Sequence, residues 1–200
     1  MASASDPPNR KQLSHERIVE AAARAIRRSG YHGVGVADIM KEAGLTHGGF
    51  YAHFASRDAM IVEAMQHASR DSSSTMKMRI SERVARGEGR FAALVHIYLH
   101  DDELAGSEQG CIVAALASEM ARQDDTVLNE ARRRVNTLID AVRHALPEGN
   151  DGATAEVATA TMVGAMQLAR TLGAKPGRAL LEHTRKALIA RYEPVAGHSG

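Results

Sequence analysis

The stretch Thr46-His47-Gly48-Gly49-Phe50-Tyr51-Ala52-His53-Phe54 decides how the rest of the chain is read. It follows the step Gly44-Leu45, where glycine can end one helix and the Thr46 hydroxyl can cap the next. The segment is only about two helical turns long, too short to be stable without packing from its neighbours. Its composition suits contact more than burial. Gly48 and Gly49 allow close approach, while Tyr51 and His53 carry polar tips on apolar bodies. Upstream, residues 36–43 read as a short amphipathic helix with Ile39, Met40 and Ala43 facing inward. Helix, tight glycine turn and second short helix make a helix-turn-helix, the unit whose second helix enters the DNA major groove.

Working outward, residues 14–29 place Ile18, Ala22, Ala25 and Ile26 at helical spacing, with Ser14 as the expected N-cap and Gly30 as the stop. This helix should pack across the motif and complete a three-helix domain over residues 13–57. Residues 1–12, with Pro7-Pro8 and Arg10-Lys11, read as a flexible solvated arm or as a basic arm reaching a minor groove. On the other side, Ser56 should cap a long helix that starts at Arg57-Asp58. It should run to about Ala85, weakened at Ser72-Ser73-Ser74 and broken by Gly87-Glu88-Gly89. Such a helix belongs to both halves of the molecule and is the natural lever between them.

The remainder reads as helix throughout, near 90–101, 111–122, 125–146, 153–173 and 177–191. Gly106, Gly110, Asp124, Pro147-Glu148-Gly149 and the run Gly173 to Gly177 punctuate it. The expected fold is all-α: an N-terminal three-helix domain, then a helical regulatory and dimerisation domain over 58–192 and a tail over 193–200. In the helix from Ala153, Val157, Met162, Val163, Gly164, Ala165, Met166 and Leu168 cover too much of the circumference for one stripe. One side should face the core and another a partner. With the stripe Leu180, Leu181, Thr184, Leu188 of the last helix, two such helices and their symmetry mates would form a four-helix homodimer interface.

Composition agrees with helix, since alanine is abundant and aromatic residues are only 4%, with no Trp. No apolar run approaches 18 residues and the N-terminus has no apolar signal core, so neither membrane span nor secretory signal is expected. One cysteine cannot make an internal disulfide, which fits a cytoplasmic protein. Residues 1–57 carry eight Lys/Arg against five Asp/Glu, net +3, whereas the rest is net −2. The motif end is therefore the basic one, as a DNA-contacting end should be.

The ordered residues Asp38-Ile39, Ala43-Gly44-Leu45-Thr46, Gly48, Tyr51, His53-Phe54 and Arg57-Asp58 resemble the DNA-binding signature of the TetR/AcrR family of bacterial one-component repressors. The resemblance covers roughly residues 14–65. Where that family usually caps the first motif helix with Ser or Thr, this chain has Gly35, which offers no hydroxyl. The resemblance implies an all-α homodimer that binds double-stranded operator DNA and releases it when an effector occupies the C-terminal domain. It also implies phosphate contacts from Tyr51 and His53. Thr46 is expected to serve as cap and phosphate ligand, and His47 and Gly48 to lie against base edges or the groove floor. Arg57 and Lys41 are further phosphate candidates.

For the effector, Phe91, Leu94, Tyr98, Cys111, Met120, Met162 and Met166 are the candidates to line an adaptable apolar pocket. Cys111 follows Gly110 at a helix start, a position that stabilises thiolate, so a thiol sensor of oxidants or electrophiles is an alternative. His96 and His100 are four apart on one helix, but position 97 is Ile and no third ligand is identifiable, so no metal is expected. Gly87-x-Gly89-x-x-Ala92 lacks the preceding strand of a dinucleotide fingerprint, and no nucleophile–base pair, P-loop or cofactor motif is present. The remaining alternative, a helical enzyme or carrier with an incidental motif, would show no salt-dependent DNA affinity.

Overall fold

The structure is a computed structural model that describes residues 9–105 and 110–193. The expected arm up to Pro8, the break at Gly106 and the tail beyond Glu193 lie outside the described residues. Within them the elements are α1 (Arg10–Ser29), α2 (Val36–Glu42), a 3-10 turn (His47–Ala52), α3 (Arg57–Val84), α4 (Arg90–Tyr98), a second 3-10 segment (Asp101–Ala105), α5 (Ile112–Met120), α6 (Asp125–Ala145), α7 (Gly152–Leu172) and α8 (Ala174–Tyr192). The all-α architecture expected from the sequence is the one found. No helix among the described residues is long and apolar enough to cross a membrane.

Two starts differ by more than one residue from the expected ones. Ser14 does not cap α1. Asn9 does, its Oδ1 accepting from Gln12 N at 3.0 Å while Gln12 Oε1 accepts from Asn9 N at 2.7 Å. This reciprocal capping box satisfies two donors that a lone serine could not. Residues 10–12 are therefore helix, not arm, and Arg10 and Lys11 stand at the positive end of its dipole. α8 likewise begins at Ala174, with Pro176 in its first turn, where a missing N–H removes no helical bond.

α3 starts where expected: Ser56 Oγ accepts from Ala59 N at 3.1 Å and Asp58 lies in the first turn. Its 28 residues span about 42 Å. The serine run does not break it, and Ser72 Oγ turns back onto Ala68 O at 2.8 Å. Met60, Ile61, Ala64, Met65 and Ala68 are buried against α1, and Ile80 is buried further along, beside α4. One rigid rod thus contributes to the packing of both halves.

α7 and α8 make the closest approach in the C-terminal half. Any Cβ added at Gly177 would stand 2.4 Å from Ala169 O, so only glycine lets these backbones meet. On α7, Ala155, Ala158, Met162, Ala165, Met166 and Ala169 are buried, whereas Val157, Leu168 and Leu172 are 52%, 60% and 53% exposed. The far end of α8 holds α4 in place. Glu193 Oε2 accepts from Ala92 N at 2.7 Å, which supplies the cap that Gly89 has no side chain to provide.

Candidate DNA-binding face and effector cavity

The recognition segment is a 3-10 turn, not an α-helix. Gly48 and Gly49 weaken α-helical preference, and six residues are too few to offset that cost. Gly44 at φ +71° makes the preceding reversal, and Leu45 N closes it onto Met40 O at 2.8 Å. Thr46 occupies the cap position but makes no side-chain capping bond; the backbone bond from Gly49 N to Thr46 O at 3.0 Å holds the turn instead. The Thr46 hydroxyl is exposed and available to another partner.

Phe50 and Phe54, 2% and 3% exposed, anchor the turn as a stacked pair 5.6 Å apart. Their burial turns the other side outward. Tyr51 is 77% exposed, Thr46, His47 and Gly48 are exposed at the same turn, and Lys41 is exposed on α2. A Cβ at Gly48 would meet nothing within 4 Å, so the space there is open. Five of the seven expected DNA-contact residues are therefore exposed, four of them at the recognition turn and Lys41 on α2.

The other two are placed differently. His53 is half-buried, its ring centroid 5.9 Å from His15, whose own ring stacks on Phe54 at 4.5 Å. Burial, reinforced by the nearby His15 and Lys11, holds the His53 pKa below its ordinary value. Its Nδ1 is enclosed without a hydrogen-bond partner among the described residues. A neutral imidazole can donate to a phosphate but cannot pair with it as a charge. Arg57 has an internal task. Its guanidinium lies over the Tyr31 ring at 4.4 Å, and Nε donates to Val34 O at 3.1 Å and Nη2 to Tyr31 O. As placed, it ties the loop after α1 to the start of α3 instead of reaching outward.

That loop is also where the two halves of the chain are joined. Tyr31 is 7% exposed, and its hydroxyl donates to Asp58 Oδ1 at 2.6 Å. Its own N–H donates to Glu119 Oε2 on α5 at 3.1 Å. Burial foremost, then the Asp58 hydrogen bond, raises the Tyr31 pKa above its ordinary value, so the phenol stays a donor. A second tie runs from Arg27 Nη2 to Ala68 O at 2.6 Å and Ser72 Oγ at 3.0 Å, with Ser72 Oγ 3.4 Å from Gly110 O. Nothing in the sequence pattern distinguished Glu119 or Tyr31, because their partners are distant in the chain.

Between α3, α4, the start of α5 and α6 lies a cavity of about 630 Å³, within the range of about 300–1,000 Å³ usual for small-molecule sites. Leu94, Tyr98 and Cys111 line it, as expected. Phe91, Met120, Met162 and Met166 do not: all are 3% exposed or less and belong to the packed core. Phe91 meets Tyr192 edge-on at 5.8 Å. Their places on the wall are taken by Met76, Ile80, Ile112 and Leu138, and by polar residues of α3 and α6. Cys111, at the N-cap position of α5, is half-buried. His96 and His100 face carboxylates: His96 Nδ1 is 2.5 Å from Glu88 Oε1, and His100 Nδ1 is 3.2 Å from Asp102 Oδ2. Among the described residues no three His, Cys, Asp or Glu side chains gather as metal ligands would.

Comparison with known proteins gives three consistent findings. The family model for bacterial regulatory proteins, tetR family, matches residues 18–64, which take in the later part of α1, α2, the recognition turn and the start of α3. Over 140 residues the chain is 27% identical to the HTH-type transcriptional repressor DhaR of Mycobacterium sp. (strain GP1), across 68% of this chain and 67% of that protein. In fold it is similar to a TetR transcriptional regulator from Chloroflexus aurantiacus, with TM-score 0.75 and 24% identity, covering 90% of this chain and 96% of that one. A TetR-family regulator from Cytophaga hutchinsonii gives TM-score 0.75 at 16% identity, covering 95% and 100%.

Proposed function

We propose that this chain, which matches the tetR family model over residues 18–64 and is similar to a transcriptional repressor, is a tetR-family homodimeric repressor released from a palindromic operator by a small-molecule effector. It is a DNA-binding regulator and not an enzyme. The observation that carries the reading is the recognition turn: Thr46, His47, Gly48 and Tyr51 stand exposed on a support fixed by buried Phe50 and Phe54. Thr46 and Tyr51 would hold phosphates, with Lys41 as a further cation. His47 and the open space at Gly48 would meet the groove. Arg10 and Lys11, unfavourably placed at the start of α1, would be relieved by DNA phosphate nearby.

One such face is too small for tight specific binding, so two must act together on half-sites about one helical turn apart or a multiple of it. The exposed row Val157, Leu168, Leu172 on α7 is what supports the dimer, since large apolar side chains in a row are best covered by a symmetry mate. Effector in the cavity would bias α3, whose other end is packed against the DNA-binding domain, and so change the separation of the two recognition turns. That requires tighter effector binding to the released form, because equal affinity shifts nothing. The test is binding of the purified chain to the DNA upstream of its own gene at several salt concentrations, with Tyr51→Ala as the control. Specific binding that weakens steeply with salt and is lost in the variant supports the proposal. Salt-independent or absent binding throughout a genomic DNA library would refute it.

A further inference from the structure

The cavity between α3, α4, α5 and α6 is lined in part by Met76, Ile80, Leu94, Ile97, Ile112 and Leu138, which can only receive an apolar body. The charged or basic groups that line it among the described residues are all cationic in type. Lys77 and Arg79 of α3, Arg90 of α4, and Arg134 and His144 of α6 line it, and among the described residues no Asp or Glu does. Arg134 is already compensated: its Nε is 2.8 Å from Glu130 Oε1, a carboxylate with no exposed surface that also holds Arg133 Nη2 at 2.6 Å. Lys77, Arg79 and Arg90 have no carboxylate within ion-pair distance among the described residues. His144 turns its Nδ1 to Asp140 O at 2.6 Å.

A cationic ligand would meet this wall with like charge and no counter-ion, and a neutral one would leave the field unused. An anion gains from it, and gains more because the apolar wall lowers the local dielectric. We propose that the cavity binds an amphipathic organic anion, a single carboxylate head on an apolar body, with Arg79 and Arg90 at the head and α4–α6 around the body. This inference rests on reading the cavity as the effector site, and it adds the chemical class of the effector.

The test compares decanoate, decanol and decylammonium by titration calorimetry on the full chain, below their aggregation limits, with 4-phenylbutanoate as a second carboxylate. Decanoate should bind at least tenfold more tightly than decanol, and decylammonium most weakly. In the Arg79→Gln/Arg90→Gln variant decanoate should fall to the affinity of decanol, with decanol itself unchanged. Ala141→Trp, which projects an indole from the wall of α6 into the cavity, should remove binding of all of them while leaving the circular dichroism intact. Equal affinity for decanoate and decanol overturns the proposal. So does tighter binding of the ammonium, survival of binding in Ala141→Trp, or no binding of either carboxylate. DNA binding measured on the same preparation separates the two readings. DNA binding without carboxylate preference sinks the ligand class alone, whereas carboxylate binding without any DNA affinity sinks the regulator.

Discussion

Phe50 and Tyr51 are adjacent, yet one is 2% exposed and the other 77%. A 3-10 turn has three residues per turn, so Gly48 and Tyr51 align on one edge, while Phe50 and His53 align on another. The outward edge is the one proposed to meet DNA. Tyr51→Phe keeps the ring and removes only the hydroxyl. A hydrogen bond to a charged phosphate is worth about 1.5–3 kcal/mol, so the variant should bind operator about tenfold to a hundredfold more weakly with unchanged melting temperature. A fluorescence anisotropy titration checks it, and undiminished affinity would remove Tyr51 from the contact set. His53 makes a different demand. Its folded pKa lies below the ordinary value, first because it is buried. The stability this carries is complete above about pH 6.5 and is lost as pH falls from there through the folded pKa, because the unfolded chain then binds more protons. Urea unfolding at pH 7.5 and 5.5 should show wild type losing stability on acidification and His53→Gln losing less. An equal loss in both would assign the effect to other groups.

At the scale of elements, the Glu119 carboxylate ties α5 to the DNA-binding domain. Glu119 accepts from Tyr31 N at 3.1 Å and stands so near Gly30 that a Cβ there would fall 2.5 Å from Oε1. Glu119→Ala should speed amide exchange at Tyr31 and its loop while leaving the recognition turn protected. Exchange mass spectrometry reads this directly; unaltered protection at Tyr31 would mean that Arg57 and Asp58 hold the loop without α5. For α7, the prediction concerns its outer row. Val157→Lys with Leu168→Lys should leave helix content unchanged, since both side chains are more than half exposed, and should convert the proposed dimer to monomer in sedimentation. A dimer that persists would place the interface elsewhere.

For the molecule as a whole, affinity and assembly are then one property. If both recognition turns must engage together, the monomeric α7 variant should lose operator binding far more than it loses non-specific binding. The cause is lost avidity, with no DNA contact changed. Electrophoretic mobility shift on a palindrome and on a single half-site tests this. Wild type should prefer the palindrome strongly, and the variant should treat the two nearly alike.

The sequence by itself determined the parts that depend on neighbours in the chain. The turn at Gly44, the Ser56 cap, the anchoring of Phe54 and the glycine break after α3 follow from local propensity and 3.6-residue periodicity. These were enough for the helix-turn-helix and the all-α class. Even here Ser14 suits a cap by type, yet the reciprocal capping box of Asn9 and Gln12 starts the helix before it. Only the tertiary structure decided what distant residues share. It turned Arg57 inward onto Tyr31, brought Glu119 to the N-terminal domain, and sent Met162 and Met166 to the core instead of the cavity. Periodicity says that a residue is buried on some face. It does not say whether that face meets another helix or an empty space, because that depends on how rigid helices cross.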